Sequence, residues 1–392
     1  MLPLQGITIV SIEQAVAAPF ATRQLADLGA RVIKVERPGT GDFARNYDQT
    51  VRGMASHFVW TNRSKESITL DLKQEDAHII LDELLSKADV FIHNLAPGAV
   101  DRLGYSAKEL KEKYPQLIIC GISGYGTFGP YTNKKAYDLL IQCEAGLVSV
   151  TGTEDTPSKS GISIADIAAG MYAYTGILTA IIARYKTGKG AIIEVSMLEA
   201  LAEWMGYPMY YSGYGEAEPK RSGASHATIY PYGPFKVGNN KKVFMGIQNE
   251  REWVRFCENV LADEKLAIDA RFDSNSNRVA NKEALKDLIE DVFQKMDSDQ
   301  IVELLEDAQI ASARLNTVKE MIDHPQLEAR SRWSEVDSPV GKLKALIPPV
   351  TFDEIDTVMN PIPEVGEHTE AILNEFGFDY NLLRKCTQLG VG

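Results

Sequence analysis

The chain has 392 residues, of which 44% are hydrophobic and 24% are charged, a composition typical of folded enzymes and unlike that of disordered or fibrous proteins. Its length predicts two domains, because a single hydrophobic core rarely grows beyond about 250 residues. The net charge of −13 would repel an extended polyphosphate, so we expect no nucleic-acid partner, while a small anion would need a local cluster of basic residues.

The N-terminal half alternates short apolar strands with helices. Strands are predicted at 7–12 and 31–36, with a helix between them that Pro19 opens and Gly29 closes. The alternation then continues through helices at 77–88 and after Ser106, strands at 89–95, 116–123 and 191–197, and a long helix that follows Asp166. This order predicts an α/β domain with a parallel, doubly wound sheet.

A change of composition near residue 207 predicts a domain boundary. Residues 207–223 are rich in Tyr, Gly and Pro without apolar periodicity, and we assign 207–225 as an interdomain linker after the large domain's first part, 1–206. The following domain, 226–330, is predicted to be smaller and more helical, with a strand at 242–248 and helices near 250–261, 282–296 and 298–308. Proline-rich residues begin the last part, 331–392, which ends in a helix near 367–376.

Cysteine and histidine spacing argues against a disulfide framework and a metal site. The four cysteines include no Cys-x-x-Cys pair, and the six histidines lack the i, i+4 spacing of metal ligands. The N-terminus lacks the basic segment of a signal peptide, and the uncharged stretch 167–183 is too short to span a bilayer. We therefore expect a cytoplasmic protein with no bound metal and no membrane partner.

A glycine-rich segment follows the predicted strand 116–123. Residues 124–129 match G-x-G-x-x-G, but Pro130 and a polar run follow, so the pyrophosphate of a dinucleotide would find no helix N-terminus there. The segment is better interpreted as a loop at the carboxyl edge of a parallel sheet, where ligands commonly bind.

Basic residues recur at the ends of the predicted strands. These residues are Arg37, Lys73, Arg102 and Lys135. Each one alone is explained by a solvated surface charge, whereas together they would form an anion pocket if the fold brought them close.

Two aspartates precede apolar runs. Asp166 lies in GISIADIAAG and Asp138 in KAYDLLIQCEAGL, and each is either a helix N-cap or a site carboxylate. A carboxylate that is ionised and poorly hydrated at such a position is a usable nucleophile. The sequence contains neither a G-x-S-x-G elbow nor a P-loop, which argues against serine hydrolases and NTPases.

Eight segments, in chain order, carry a further pattern: LQGITIVSIEQAVAAPFATRQLADLGARVIKVERPGTGD, NRSKESITLDLK, ADVFIHNLAPGAVDRLG, GISGYGTFGP, AYDLLIQCEAGL, ISIADIAAG, YKTGKGAIIEVSM and VGEHTEAIL. Together they resemble the class III coenzyme A transferases, the CaiB/BaiF group that includes formyl-CoA transferase. The resemblance implies a large Rossmann-like domain built from both chain ends, a smaller α+β domain from the middle of the chain, and a homodimer of interlocked chains.

The resemblance also implies roles for single residues. It places the nucleophile at Asp166 and coenzyme A contacts at Val16, Ala17, Arg37, Leu70, Asp71, Leu72, Lys73, Asn94, Leu95, Ala96, Arg102, Lys135 and Asp138. Coenzyme A would be substrate and product, with no permanently bound cofactor. Val16 stands where formyl-CoA transferase has glutamine, so a polar contact near the reacting carbonyl is missing and formyl or oxalyl substrates are disfavoured.

Alternative functions remain within and beyond this family. The related 2-methylacyl-CoA racemases use a histidine where this chain has Tyr137, which disfavours proton transfer at carbon 2. Water attacking an acyl-aspartyl intermediate would give an acyl-CoA hydrolase, and a regulatory protein that binds coenzyme A would not need Asp166. The segment opening the small domain resembles that of relatives that handle short dicarboxylic acids, with Arg221 and His226 as candidate partners of the distal carboxylate.

Overall fold

The structure is a computed structural model and describes residues 2–238 and 241–378. Within these ranges the strands are β1 (Thr8–Ile12), β2 (Arg31–Glu36), β3 (Lys65–Thr69), β4 (Val90–His93), β5 (Ile118–Ser123), β6 (Ile192–Ser196), β7 (Tyr232–Lys236), β8 (Lys242–Gly246), β9 (Ala311–Arg314), β10 (Trp333–Val336) and β11 (Leu343–Leu346). Residues 379–392, the end of the predicted segment 331–392, lie outside the described residues.

The helices are numbered in the same way. They are α1 (Ala17–Asp27), α2 (Ser56–Thr61), α3 (Glu75–Ser86), α4 (Ala99–Arg102), α5 (Ala107–Lys113), α6 (Asp138–Glu144), α7 (Leu147–Val150), α8 (Ile164–Thr187), α9 (Met197–Trp204), α10 (Gly206–Tyr214), α11 (Glu250–Arg255), α12 (Asn275–Ala280), α13 (Lys282–Phe293), α14 (Ser298–Asp307), α15 (Val318–Ile322), α16 (Pro325–Ala329) and α17 (Thr369–Glu375). Short 3-10 segments lie at Phe43–Asn46 and Glu264–Ile268, and a π-helical turn at Phe256–Val260.

The described chain divides into two compact units. The first comprises the chain up to Gly146, Ser160–Gly206 and the chain from Ala329 onward, and the second comprises Leu147–Lys159 and Tyr207–Glu328. The stretch 207–225, predicted to be a linker without periodic structure, contains most of α10. Its tyrosine-rich sequence GYPMYYSGY has no amphipathic pattern, which is why the helix was not predicted.

The first unit is built on a six-stranded parallel sheet in the order β3-β2-β1-β4-β5-β6. Its central strands are runs of β-branched residues such as ITIVSI, and Ile9 and Val10 on opposite faces are both fully buried. The predicted α/β class with a parallel sheet is confirmed. The strand order reverses between β1 and β4, and the loops leaving these two strands flank the crevice where open α/β sheets bind ligands.

Helix α8 packs against α1 along a contact that glycine permits. At Gly170 a Cβ atom would lie 2.7 Å from the carbonyl oxygen of Ala17 and 3.0 Å from Cδ1 of Phe20. A larger residue would therefore push α8 away from the start of α1. The close packing brings the first turns of α8 next to the loop that follows β1.

The second unit has a three-stranded antiparallel sheet, β7-β8-β9. Its core is rich in aromatic residues, with Trp253, Phe256, Phe272 and Phe293 almost completely buried. Helices α13 and α14 bury apolar stripes that include Ile289 and Ile301 against this core.

Candidate active site

The loop after β1 is fixed to the end of β4 by an asparagine side chain. The amide nitrogen of Gln14 donates to Asn94 Oδ1 at 2.9 Å, and Asn94 Nδ2 donates to the carbonyl of Gln14 at 2.8 Å. The structure therefore brings Val16 and Ala17 beside the start of 94–96 at the switch point of the sheet. Both polar atoms of the Asn94 side chain are used in this contact.

The same loop is also fixed to the loop after β2. Asp42 Oδ1 accepts hydrogen bonds from the amides of Ala15 and Ala44, each at 2.9 Å, and the amide of Phe43 donates to Gln14 Oε1 at 3.0 Å. Ala15 has a φ of 61°, which an alanine adopts only when its surroundings hold it there. These bonds place the Arg37 loop beside the first loop, with the Arg37 guanidinium 5.3 Å from the centroid of the Phe43 ring.

A buried network of charges lies beneath both loops. Lys34 Nζ contacts Asp42 Oδ2 at 2.5 Å, and Lys65 Nζ contacts Glu13 Oε1 at 2.7 Å, with all four side chains inaccessible to solvent. Burial opposes the charge of Lys34, but the carboxylates of Asp42 and Glu13 raise its pKa above the ordinary value. Burial prevails at Lys65 and lowers its pKa to about 8 although Glu13 is adjacent.

A second arm of this network uses Glu36. Burial alone would raise the pKa of Glu36, but hydrogen bonds from Arg45 and the charge of Lys34 lower it to about 2. Glu36 also accepts from the amide of Asp42 at 2.8 Å and from the hydroxyl of Ser67 at 2.6 Å. The loop that carries Arg37 is therefore held by charged groups that the sequence did not identify as important.

The four basic residues singled out in the sequence differ from the buried lysines nearby in their exposure and in their lack of ion pairs with described residues. Arg37, Lys73, Arg102 and Lys135 are exposed on loops or short helices after β2, β3, β4 and β5, respectively. Over 2–238 and 241–378 none of them forms an ion pair, whereas Lys34 and Lys65 do. Since the carboxyl ends of parallel strands share one edge of the sheet, the chain segments that carry these cations all leave the sheet at the same edge.

The stretch 70–73 contributes to this edge in two different ways. Leu70 is buried and Leu72 packs against the same hydrophobic core, so these two side chains anchor the turn. Asp71 Oδ1 accepts from the amide of Lys73 at 3.2 Å, which shapes the turn that exposes the Lys73 ammonium group. Leu95 likewise packs on the core, while Ala96 is exposed.

Asp166 lies in the first turn of α8 and is not its N-cap, so the capping interpretation is wrong for this residue. The helix begins at Ile164, and its N-cap residue, Ser163, makes no capping hydrogen bond with its side chain. The capping carboxylate comes instead from α6: Asp138 Oδ1 accepts from the amides of Ala165 at 2.8 Å and Asp166 at 3.3 Å.

The Asp166 carboxyl group is unusually basic. Burial, followed by the negative charge of Asp138, raises its pKa to about 7. The helix N-terminus would ordinarily favour the ionised form, but its amides already bind Asp138.

One tyrosine interacts electrostatically with this carboxyl group. Tyr137, which immediately precedes α6, is 70% exposed, and Tyr47 has its pKa raised by burial and by the charges of Asp42 and Asp166. The Tyr47 ring meets His57 edge to face, with centroids 5.6 Å apart. Sequence reasoning missed Tyr47, because nothing in the local pattern near residue 47 indicates its distant partner Asp166.

The glycine-rich loop 124–129 uses amide groups in hydrogen bonds to side chains of this protein. The amide of Gly126 donates to Ser123 Oγ at 2.9 Å, and the amide and hydroxyl of Thr127 donate to the carboxylate of Glu194 at 2.5 and 2.8 Å. A carboxylate already occupies the position that a phosphate would need. Gly124 is required for another reason, because a Cβ there would lie 2.2 Å from that of Ala136.

Arg221 and His226, the candidate substrate residues, belong to the second unit, and their side chains make different kinds of hydrogen bond. Arg221 donates to the carbonyls of Thr153 at 2.8 Å, Glu154 at 2.5 Å and Ser149 at 3.3 Å, so its guanidinium fastens the 147–159 segment. His226 Nδ1 accepts from the amides of Thr228 and Ile229 at 3.2 and 3.1 Å. The His226 proton is thereby assigned to Nε2, which can donate to a carboxylate.

Two features of the described residues bear on other functions. Among the described residues no cluster of three or more His, Cys, Asp or Glu side chains could hold a metal ion. In the same residues one helix, Ile164–Thr187, is long and apolar enough to cross a membrane by length and composition alone. That helix packs against α1 and the sheet in the core of the first unit.

Comparisons with known proteins give one consistent answer. CoA-transferase family III matches residues 4–369. Succinyl-CoA:glutarate CoA-transferase of Homo sapiens is 32% identical over 377 residues, covering 95% of this chain and 86% of that protein. Acetyl-CoA:oxalate CoA-transferase of Acetobacter aceti is 36% identical over 332 residues, covering 84% and 85%. The crystal structure of a CaiB/BaiF family protein from Brucella suis superposes with a TM-score of 0.85 at 33% identity, covering 96% of this chain and 99% of that one.

Proposed function

Because the chain belongs to CoA-transferase family III, we propose that it moves coenzyme A from an acyl-CoA to a free carboxylic acid through covalent intermediates on Asp166. Membership of this family confirms the resemblance noted in the sequence, and its named relatives are enzymes of the transferase type. The nucleophile, the acids exchanged and the residues that bind coenzyme A are our proposals.

The proposed reaction consists of four acyl exchanges. The Asp166 carboxylate attacks the donor thioester carbonyl, which forms a mixed anhydride and releases the coenzyme A thiolate. The thiolate attacks the aspartyl carbonyl, which forms an aspartyl thioester and releases the donor acid. The acceptor carboxylate displaces the thiolate to form a second anhydride, and the thiolate then attacks the acceptor carbonyl to release the new acyl-CoA and Asp166.

The observation that carries this proposal is the environment of Asp166. Its carboxylate is half-buried in the first turn of an apolar helix, and the amides that would stabilise its charge bind Asp138 instead. Because a more basic carboxylate is a stronger nucleophile, this environment favours attack on a thioester. The carboxylate needs no general base, since it is already the attacking species once ionised.

The nucleophile is tested by chemical trapping. Incubation with succinyl-CoA and hydroxylamine should convert Asp166 to a hydroxamate that mass spectrometry detects in its peptide. Asp166→Asn should lose transfer by at least about a thousandfold, while Glu112→Gln, which changes an exposed carboxylate on α5, should retain it. An unlabelled Asp166 peptide together with an active Asp166→Asn enzyme would refute the assignment.

The exposed cations on segments that leave the carboxyl edge of the sheet support binding of the coenzyme A phosphates. Arg37, Lys73, Arg102 and Lys135 are exposed and form no ion pair with described residues, so each can offer its charge to a phosphate oxygen. They give an acidic protein the local positive charge that such a ligand requires. Val16, Ala17 and Asn94–Ala96 would line the crevice between them.

Replacing Arg37 tests this binding site. Arg37→Ala should raise KM for the acyl-CoA about tenfold or more, the loss of one charge-assisted contact worth roughly 1.5–3 kcal/mol, with kcat little changed. Arg31→Ala is the matched control, because Arg31 lies at the opposite end of the same strand and pairs with Glu66 and Glu375. Equal KM values for the two variants at low salt would contradict the role of Arg37.

We further propose that the acids exchanged are short dicarboxylic acids, with succinyl-CoA as donor. Relatives named for succinyl-CoA and glutarate cover nearly the whole chain, and His226 offers a fixed Nε2–H donor for a distal carboxylate. Arg221 is the weaker candidate, because its donors already bind backbone carbonyls.

A matrix of donors and acceptors tests the substrate class. Succinyl-CoA and acetyl-CoA are offered with glutarate, succinate, mesaconate, citramalate and oxalate, and each product is identified by mass. We expect transfer from succinyl-CoA to C4 or C5 dicarboxylates and little transfer to oxalate, because Val16 lacks a polar group. Exchange only at carbon 2 of an acyl-CoA, hydrolysis without transfer, or binding of coenzyme A without turnover would favour the racemase, hydrolase or regulatory alternative, respectively.

A further inference from the structure

We propose that Gln142 and Asp138 are positioning residues: Gln142 orients Asp138, and Asp138 in turn positions Asp166. Asp138 is then not a contact for coenzyme A. This inference rests on the proposed role of Asp166 as nucleophile. It assigns a function to a buried glutamine that neither the sequence pattern nor the family resemblance singled out.

Gln142 connects α6 to the chain segment that enters α8. Its side chain is completely buried, Nε2 donates to Asp138 Oδ2 at 2.6 Å, and Oε1 accepts from the amide of Ser160 at 2.9 Å. The opposite orientation of the amide would place its NH2 group against the Ser160 amide and its oxygen against a carboxylate. The two partners therefore fix one orientation of Gln142.

Asp138 transmits this orientation to the nucleophile. With Oδ2 held by Gln142, Oδ1 accepts from the amides of Ala165 and Asp166 itself. Hydrogen bonds to an ionised acceptor are roughly twice as strong as neutral ones, so the backbone of Asp166 is fixed with respect to α6. The side chain of Asp166 then projects from a defined position in the first turn.

Asp138 also acts on the charge of Asp166. It takes amide hydrogens that would otherwise stabilise a carboxylate at the helix N-terminus, and it adds a negative charge nearby. Asp138 and Tyr47 both interact electrostatically with Asp166. Of the charged side chains on the elements that pack against α8, Arg23 pairs with Asp27, Glu194 accepts from Thr127, and Glu144 pairs with Lys134. Helix α9 adds Glu199 and Glu203.

A role in binding coenzyme A is a poor match for these contacts. Both oxygens of Asp138 are engaged by protein donors, and its charge would repel a phosphate. The positioning role and the binding role predict different kinetics, because the first changes kcat and its pH dependence and the second changes KM.

The first test compares pH profiles of transfer from succinyl-CoA to glutarate. Asp138→Asn keeps an acceptor oxygen for the two amides but removes the charge, so the midpoint of kcat/KM should move down by about one pH unit. Activity at pH 5.5 relative to pH 8.5 should rise about tenfold, with KM for the acyl-CoA within twofold of wild type. Glu144→Gln, a carboxylate at the other end of α6 that pairs with Lys134, should leave the profile unchanged. A KM raised tenfold with an unmoved midpoint would overturn the proposal.

The second test needs no substrate and separates this proposal from the proposed function. Melting temperatures are measured at pH 5 and pH 8.5 for wild type, Asp166→Asn, Asp138→Asn and the double variant. Asp166→Asn should raise the melting temperature of the wild type more at pH 8.5 than at pH 5. At least half of this difference between the two pH values should disappear when the same substitution is made in the Asp138→Asn background. An equal gain in both backgrounds contradicts the positioning role of Asp138, whereas an active Asp166→Asn enzyme contradicts only the assignment of the nucleophile.

If Asp138→Asn does not fold, the variant Gln142→Met replaces it. Its kcat should fall at least tenfold, with KM within twofold of wild type. An unchanged kcat would refute the positioning role of Gln142 and Asp138.

Discussion

At the scale of single residues, the ionisation of Asp166 should set how activity depends on pH. Its raised pKa, about 7, means that the carboxylate is largely protonated at pH 5.5 and ionised at pH 8.5. Since only the ionised form attacks a thioester, kcat/KM should rise with pH through a midpoint near 7 and then level off. Initial rates between pH 5 and 9 measure this, and a midpoint near 4 would show that Asp166 titrates as an ordinary aspartate.

Lys65 provides a prediction about stability at the same scale. It is fully buried and pairs with Glu13, so Lys65→Met leaves that carboxylate with Lys34 Nζ at 3.6 Å. Removing one partner of a buried pair typically costs about 3–5 kcal/mol, and denaturant unfolding should show a loss of this size. Lys87→Met breaks an exposed pair with Glu83 and should cost less than about 0.5 kcal/mol. Similar losses in the two variants would mean that the buried network contributes little.

At the scale of elements, the contact between the loops after β1 and β2 should matter for binding more than for folding. Gln14→Ala removes the side-chain acceptor of the Phe43 amide but leaves the backbone bonds to Asn94. Losing one neutral hydrogen bond is worth about 0.5–1.5 kcal/mol, so KM for the acyl-CoA should rise about two- to tenfold with kcat unchanged. Gln116→Ala, an exposed glutamine just before β5 at the opposite edge of the sheet, serves as control. A Gln14→Ala enzyme with wild-type KM would show that this contact does not position the site.

The elements that the sequence predicted share a strong local signal. β1, β2 and the helix between them were predicted because apolar runs are punctuated by proline and glycine. β3 was not predicted, since its sequence KESIT begins with a charged pair and Lys65 is buried only through its tertiary partners. β9 and β10 were missed because four-residue strands such as ASAR have no period long enough to recognise.

The site shows the same division between local and distant signals. The basic residues at strand ends were visible in the sequence, and the resemblance singled out Asp166. Gln14, Asp42 and Gln142 were not identified, because their partners are far along the chain: Phe43 is 29 residues from Gln14, Ala15 is 27 residues from Asp42, and Ser160 is 18 residues from Gln142. A polar residue whose partner is contributed by another element has no signature in its own neighbourhood.

At the scale of the whole molecule, we expect an obligate homodimer, as the family resemblance implies. The described chain exposes large apolar side chains in both units, including Ile182 and Tyr185 on α8 and Tyr210 and Tyr214 on α10. Exposed apolar side chains of this size on a single chain often mark a protein interface. Sedimentation at micromolar concentration should give a species of twice 43.3 kDa, with dissociation only on unfolding. A folded species of 43.3 kDa under these conditions would contradict the prediction.

The chain contributes Leu147–Lys159 to the second unit before it returns to the first unit. This connectivity limits how segments can be exchanged between such proteins. The second unit consists of two stretches, and Arg221 in the longer one binds carbonyl groups of the shorter one. A chimaera that exchanged only 207–328 would pair an arginine from one parent with a loop from the other. The shorter stretch also lies between Gln142 and Asp166 in the chain, so its length is constrained at both ends. Functional chimaeras should therefore require both stretches from the same parent, and crossovers near 206 and 329 alone should produce proteins whose second unit is improperly assembled.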